Sequence, residues 1–182
     1  MSQADTDEAL MLAYGAGDAT AFRRLYLRHA DPVYRYCLRA SGSPANAAEF
    51  AQDVWMRVIE ARQRYAQTAG FKTWLYRIAH NRMVDHWRTQ ARRTSSEALL
   101  DEQADPAASP ERRAAAEDCV DRLQVELAAL PLAQRELIVL REEGELTLEQ
   151  IAGLQSVGRE TVKSRLRYAL ARLKEALHDC LE

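Results

Sequence analysis

Residues 94–117 read TSSEALLDEQADPAASPERRAAAE, and Leu99 and Leu100 are the only large apolar side chains among them. So little apolar surface cannot offset the entropy lost when a backbone is ordered. The stretch 94–118 is therefore expected to be a flexible acidic linker. It divides the chain into an N-terminal domain over 5–93 and a C-terminal domain over 119–182. A hydrophobic share of 47% in 182 residues is enough to build a core. Only seven Gly and five Pro stand among abundant Ala, Leu, Arg and Glu, which favours helix throughout. The expected fold class is all-α, with two small helical domains.

The formal charge of −2 conceals a segregation. Between Arg62 and Arg93 eight basic residues meet one acid, Asp85, whereas residues 94–121 carry eight acids against Arg112 and Arg113. From Arg159 to Lys174 six basic residues accompany Glu160. Two basic surfaces flanking an acidic segment point to a polyanionic partner. No run of eighteen apolar residues is present, so no membrane insertion is expected. The N-terminus, MSQADTDEAL, has neither the basic start nor the apolar stretch of a signal peptide, and a cytoplasmic location is expected. Cys37, Cys119 and Cys180 are widely spaced and form no CxxC pair. They are expected to be small buried hydrophobes, with a redox-sensing thiol as the alternative and no disulfide framework or zinc site. No cofactor or metal is implied. The sequence offers no Walker loop, catalytic triad or paired catalytic carboxylates, so an enzyme is not expected.

Apolar spacing places four helices in the N-terminal domain. The first spans about Thr6 to Gly15. The second begins near Asp18, carries Phe22, Leu25, Tyr26, Val33 and Cys37, and is expected to be interrupted or kinked at Pro32. Gly42, Ser43 and Pro44 end it. Asn46 followed by Glu49 resembles a capping box for a third helix, whose stripe is Phe50, Val54, Trp55, Val58 and Ile59. A loop from Tyr65 to Gly70 precedes a fourth helix with Trp74, Leu75, Ile78, Ala79 and Met83. A four-helix bundle is the economical packing. In the C-terminal domain, Val120, Leu123, Leu127 and Leu130 mark one helical face. Pro131 suits the first turn of the next helix and Gly144 its end.

Thr147 with Gln150 forms another capping box, starting a short helix through Ile151 and Ala152. A tight turn at Gln155-Ser156-Val157-Gly158 leads to a last helix expected to bury Val162, Leu166, Ala169, Leu170, Leu173 and Leu177. This is a helix-turn-helix pattern, with Val157 as an apolar plug. Arg159, Glu160, Lys163, Ser164 and Arg167 fall on the solvent face near the start of the second helix, where side chains can read bases and hold phosphate. An amphipathic hairpin with a solvated basic face would leave the same pattern.

The segment LPLAQRELIVLREEGELTLEQIAGLQSVGRETVKSRLRYALARLKEAL resembles region 4 of bacterial RNA polymerase sigma factors. TVKSRL, residues 161–166, is similar to the hallmark of their extracytoplasmic-function (ECF, group IV) family. NAAEFAQDVWMRVIEARQRY resembles sigma region 2.2, and FKTWLYRIAHNRMVDHWRTQARR resembles regions 2.3 and 2.4. The resemblance covers both domains and leaves the linker unmatched.

The resemblance implies a division of labour. Glu49, Gln52, Asp53, Met56 and Arg57 would dock on the β′ clamp helices of core RNA polymerase. Lys72, Trp74, Arg77, Asn81, Arg82, His86 and Arg88 would melt and read the −10 element, the loop Tyr65 to Lys72 being the base-specificity loop. Such a surface needs cations for the strand and flat faces or polar edges for an unstacked base; Tyr65, Tyr76 and Trp87 interleave with the cations. Trp74 is as readily a core residue, and His80 and His86 are expected at the polar surface. Region 4 would read the −35 element and hold the β flap. Ser156 stands where many ECF sequences have Gly, which leaves the register of Arg159 and Glu160 open. An anti-sigma factor is an expected partner beside promoter DNA and the polymerase core. The 24 residues of 94–117 reach at most roughly 80 Å, or roughly 23 base pairs of about 3.4 Å. The function expected is promoter-specific transcription initiation. An autonomous helix-turn-helix regulator, or a helical adaptor or enzyme, would leave the basic-aromatic block at 62–93 or the TVKSRL stretch without a use.

Overall fold

The computed structural model describes residues 6–97 and 119–180. Leu99, Leu100 and most of the acidic segment lie outside the described residues. Every regular element among the described residues is helical. The main helices are α1 (Asp7–Gly15), α2 (Ala19–Ser41), α3 (Pro44–Ala61), α4 (Phe71–Glu97), α5 (Cys119–Ala128), α6 (Leu132–Glu142), α7 (Leu148–Gln155) and α8 (Arg159–Ala176). Short 3₁₀ turns follow α3 at Arg62–Arg64 and α8 at His178–Cys180.

Local chemistry sets most boundaries. Thr6 and Asp18 cap α1 and α2 through their side-chain oxygens. The Asp18 carboxylate accepts from the N–H groups of Thr20 at 2.8 Å and Ala21 at 3.3 Å, satisfying donors that the first turn leaves free. Gly42 ends α2 in the left-handed conformation, φ 68°, and its N–H bonds Leu38 O at 2.8 Å. α3 starts three residues before the expected box. Ser43 accepts from Asn46 N at 3.4 Å, and Pro44 takes the first helical position, where its missing N–H costs nothing. α2 runs unbroken through Pro32. Val33, Tyr36 and Cys37 beyond the proline are fully buried, so packing holds the helix where one backbone bond is lost. The capping box at Thr147 and Gln150 forms with both reciprocal bonds.

α4 begins on a long-range cap. The Glu8 carboxylate of α1 accepts from Phe71 N at 2.7 Å. Asp7 beside it binds Arg28 at 2.9 Å and lies 2.7 Å from His29 Nε2. Burial raises the Asp7 carboxyl, but the bonds to His29 and Arg28 outweigh it and hold the group below the usual carboxylate value.

One buried cluster runs through both halves of the chain, from Leu10, Leu25, Tyr36, Phe71 and Tyr76 to Leu137, Leu140, Ile151 and Val162. A smaller one joins Leu130, Ile138, Ala169 and Leu173. Several expectations change here. Val120 and Leu123 are exposed, because α5 packs on α8 chiefly through Leu127 and buries no residue fully. Leu170, 51% exposed, turns away from the seam that Val162, Leu166, Ala169 and Leu173 make. Of the cysteines only Cys37 is a buried thiol, which burial pushes up to about 12. Cys119 and Cys180 form a disulfide, with Cα atoms 5.6 Å apart, which overturns the expectation of no bridge. Sixty-one positions separate them in sequence. The α5–α8 packing and the turn after α8 bring them together.

Candidate nucleic-acid interface

The turn between α7 and α8 depends on Ser156. Its backbone is left-handed, φ 54° and ψ 42°, and Val157 N bonds Ala152 O at 3.0 Å. A side chain at positive φ carries strain that glycine would not, yet the turn still closes and Val157 packs against the core. Gly158 then caps α8 with extended backbone and no side-chain bond. The first N–H groups of α8 have no capping side chain, the arrangement in which a helix start accepts an anion.

Arg159, Lys163 and Arg167 follow at intervals of four and are exposed along one side of α8. Their present partners are local. Arg159 bonds Glu149 and meets Glu160 at 3.3 Å, and Lys163 lies 3.8 Å from the same Glu160. The Arg159 bond holds the Glu149 carboxyl below its ordinary value and raises the guanidinium. Arg167 lies over the Tyr168 ring at 5.1 Å. Ser164 donates to Thr161 O at 3.0 Å, a bond back into its own helix. Exposed pairs of this kind are weak and exchange readily for phosphate.

The α4 residues are set differently. Arg77 and Arg88 are exposed, whereas Lys72 pairs with Glu145 across the two halves of the molecule. Trp74 is half-buried in an aromatic cluster, 5.1 Å from the Tyr65 ring and 5.9 Å from Phe71. Tyr65 and Tyr76 are buried, so neither offers a free flat face, and burial pushes the Tyr65 hydroxyl up to about 12. Asn81 is exposed at a cleft of about 770 Å³ between α4 and the C-terminal helices. Trp87, Arg88 and Arg165 share its lining. His80, expected at the surface, is drawn inward: its Nδ1 lies 2.6 Å from the buried Glu136 carboxylate. His86 rests against the Phe50 ring at 4.7 Å.

Arg82 joins the two site groups read from the sequence. Its Nε donates to Asp53 at 2.7 Å, its Nη2 reaches Glu49 at 3.4 Å, and its guanidinium lies 4.0 Å over Phe50. Arg57, beside them on α3, lies 4.0 Å from Asp85 of α4. Gln52 and Met56 are exposed on the adjoining flank of α3, where they line a groove of about 480 Å³ with Trp55 and with Tyr26 and Tyr34 of α2. The α2 side of this groove was missed in the sequence. Its signal was Tyr26, Ala30 and Tyr34 at intervals of four, a stripe running beside the core stripe of Leu25, His29 and Val33.

Comparison with known proteins matches this architecture region by region. The family description "Sigma-70 region 2" fits residues 25–93, and "Sigma-70, region 4" fits residues 127–175. The chain is 32% identical over 168 residues to the ECF RNA polymerase sigma factor SigL of Mycobacterium tuberculosis, covering 90% of this chain and 93% of that one. It is 30% identical over 159 residues to the ECF RNA polymerase sigma factor RpoE of Cereibacter sphaeroides, covering 87% of each. Among solved structures, the sigma factor RpoE bound to the anti-sigma factor NepR from Bartonella quintana superposes with a TM-score of 0.72 at 20% identity, over 88% of this chain and 98% of that one.

Proposed function

Because the chain belongs to the extracytoplasmic-function sigma factors, we propose that it directs core RNA polymerase to promoters by reading a −35 element with α8 and a −10 element with α4. The observation that carries this reading is the row of Arg159, Lys163 and Arg167, exposed on the second helix of a helix-turn-helix whose first turn lacks a capping side chain. On duplex DNA, Arg159 and Glu160 are positioned for base edges, Lys163, Ser164 and Arg167 for the backbone.

On the −10 side, Lys72, Arg77 and Arg88 supply charge along a displaced strand. The Asn81 amide supplies donors and an acceptor for an extruded base. Trp74 acts as a wall behind the 65–70 loop, and His86 is held in place against Phe50. Arg82 serves by holding α4 to Glu49 and Asp53, which couples the melting helix to the polymerase-docking face formed by Gln52, Met56 and Arg57. The β′ clamp helices are the occupant proposed for that face, and the β flap for the outer surface of the C-terminal helices. An anti-sigma factor is a further proposed partner, as for the Bartonella relative. No helix among the described residues is long and apolar enough to cross a membrane.

Transcription with purified core polymerase over a genomic promoter library tests the reading. Initiation at a defined set of promoters is the expected result. No stimulation at any promoter, with tight duplex binding by the protein alone, would instead favour an autonomous helix-turn-helix regulator. Asn81→Ala should impair strand opening, read by permanganate footprinting, more than it impairs initial promoter binding. Equal loss of both would remove the base-holding role from Asn81.

A further inference from the structure

The loop at 65–70 joins the 3₁₀ turn after α3 to the start of α4, and Ala66, Gln67 and Thr68 are exposed at its tip. Among the described residues one backbone bond forms within it, from Thr68 N to Ala66 O at 2.8 Å. The Tyr65 hydroxyl is buried and has no hydrogen-bond partner among the described residues, so ring packing on Phe71 and Trp74 holds that side chain. A segment with so few bonds of its own takes its pose from its ends.

Both ends meet α1. At the far end, Gly70 has no side chain to cap α4, and the first turn of α4 carries no acid. The Glu8 carboxylate fills both roles. It accepts from Phe71 N at 2.7 Å and places a negative charge at the helix start. Trp74 N then bonds Gly70 O at 3.1 Å, closing the first turn. At the near end, Gly15 lies against the 3₁₀ turn: a Cβ there would stand 3.1 Å from Arg62 O. The Arg62 guanidinium lies 5.8 Å over the Tyr14 ring. α1 is itself fixed, since Leu10 and Met11 are buried and Asp7 is bound to Arg28 and His29 of α2. One nine-residue helix thus holds the loop at both of its ends.

We propose that α1 is a brace that sets base preference without touching DNA: Glu8 is a positioning residue that fixes the pose of the 65–70 loop and of Lys72 and Trp74 beside it. A site for an extruded base discriminates by shape and by placed polar edges, so a wall free to shift accepts bases that a fixed wall rejects. The preference rests on the reading of α4 as the −10 helix made above; the brace itself does not. The test uses the full chain. Hydrogen exchange over residues 65–71 reads the brace. Transcription with core polymerase from a library randomised in the −10 and −35 elements reads base preference. Glu8→Ala should speed exchange about fivefold and flatten the −10 preference to a similar degree, the scale of one lost helix cap, with the −35 preference unchanged. Glu8→Gln keeps an acceptor oxygen for Phe71 N and should retain wild-type exchange and preference. Gly15→Ala favours the helix but presses a Cβ on Arg62 O, so it should shift the −10 preference with Glu8 intact. Ser43→Ala removes a cap at the remote start of α3 and should leave the preference as in wild type. Unchanged exchange in Glu8→Ala would overturn the brace. Faster exchange with transcription lowered evenly across all bases, or the same flattening in Ser43→Ala, would overturn the specificity role and leave Glu8 a structural cap. A wild-type chain with no −10 preference would overturn the reading of α4, while the exchange result would still decide the brace.

Discussion

Helices α8 and α4, proposed above to meet duplex and melted DNA, carry similar cations in opposite settings. On α8, Arg159 and Lys163 converge on exposed Glu160, so their pairs cost little to break. On α4, Lys72 reaches the other half of the molecule, Arg82 is half-buried against α3, and His80 contacts a buried carboxylate. Arg159 and Lys163 of α8 pair with exposed local carboxylates, whereas Lys72 and Arg82 of α4 are engaged by other helices and loops and Arg77 and Arg88 stay exposed. A basic helix alone therefore does not make a DNA surface; what its cations already hold decides.

The comparison can be broken at several points. The largest effect is expected at the anchor of α8. Closing a loop of 61 positions by Cys119–Cys180 is worth about 4 kcal/mol in the oxidised protein. Cys119→Ser should lose that amount in urea unfolding without reductant and nothing measurable with it. If oxidised wild type and variant unfold alike, α8 is anchored by packing alone. Next, Glu136→Ala should cost about 3 kcal/mol, since it strands Tyr36, His80 and Gln155 at a buried site. A loss within the range of an exposed pair would erase the distinction between the two faces.

A smaller effect tests the support of α4 from α1. The Asp7 carboxyl is held below its unfolded value near about 3.9. Its contribution is therefore fully present above that value and fades as pH falls through the lower folded value. Asp7→Asn should lower thermal stability at pH 7, with the gap closing toward pH 2. A gap independent of pH would assign the effect to packing. Smallest of all, Glu160→Gln should change stability by about 0.3 kcal/mol or less, yet weaken binding to a matched duplex by removing a base-edge contact. Unchanged or tighter binding would mean that Glu160 only pairs with Arg159 and Lys163 and does not contact the DNA.

Much of the fold was legible. Thr6, Asp18 and the Thr147–Gln150 box announced their helices, because a cap and the donors it satisfies lie within three residues of each other. The α8 surface was legible for the same reason: spacing of four along one helix is enough to align Arg159, Lys163 and Arg167. Reading failed where partners were distant. Nothing near Phe71 signals that Glu8 caps it, and nothing near Cys119 signals Cys180. His80 reads as a surface residue until α6 delivers Glu136, and Arg82 reads as a free cation until α3 delivers Asp53. Ser156 looked doubtful in the turn, yet it adopts the left-handed backbone that a glycine would, held by the Val157 plug.

The sequence by itself determined an all-α chain, its helix starts, its segregated charge and its sigma-factor family, since each is written in local spacing and residue type. Only the tertiary structure decided which cations remain available. For α4 that choice depends on carboxylates brought from remote positions, Glu136 and Glu145 from the C-terminal half and Glu49 and Asp53 from α3. A charge's partner is fixed by distance in space, which neither composition nor periodicity records.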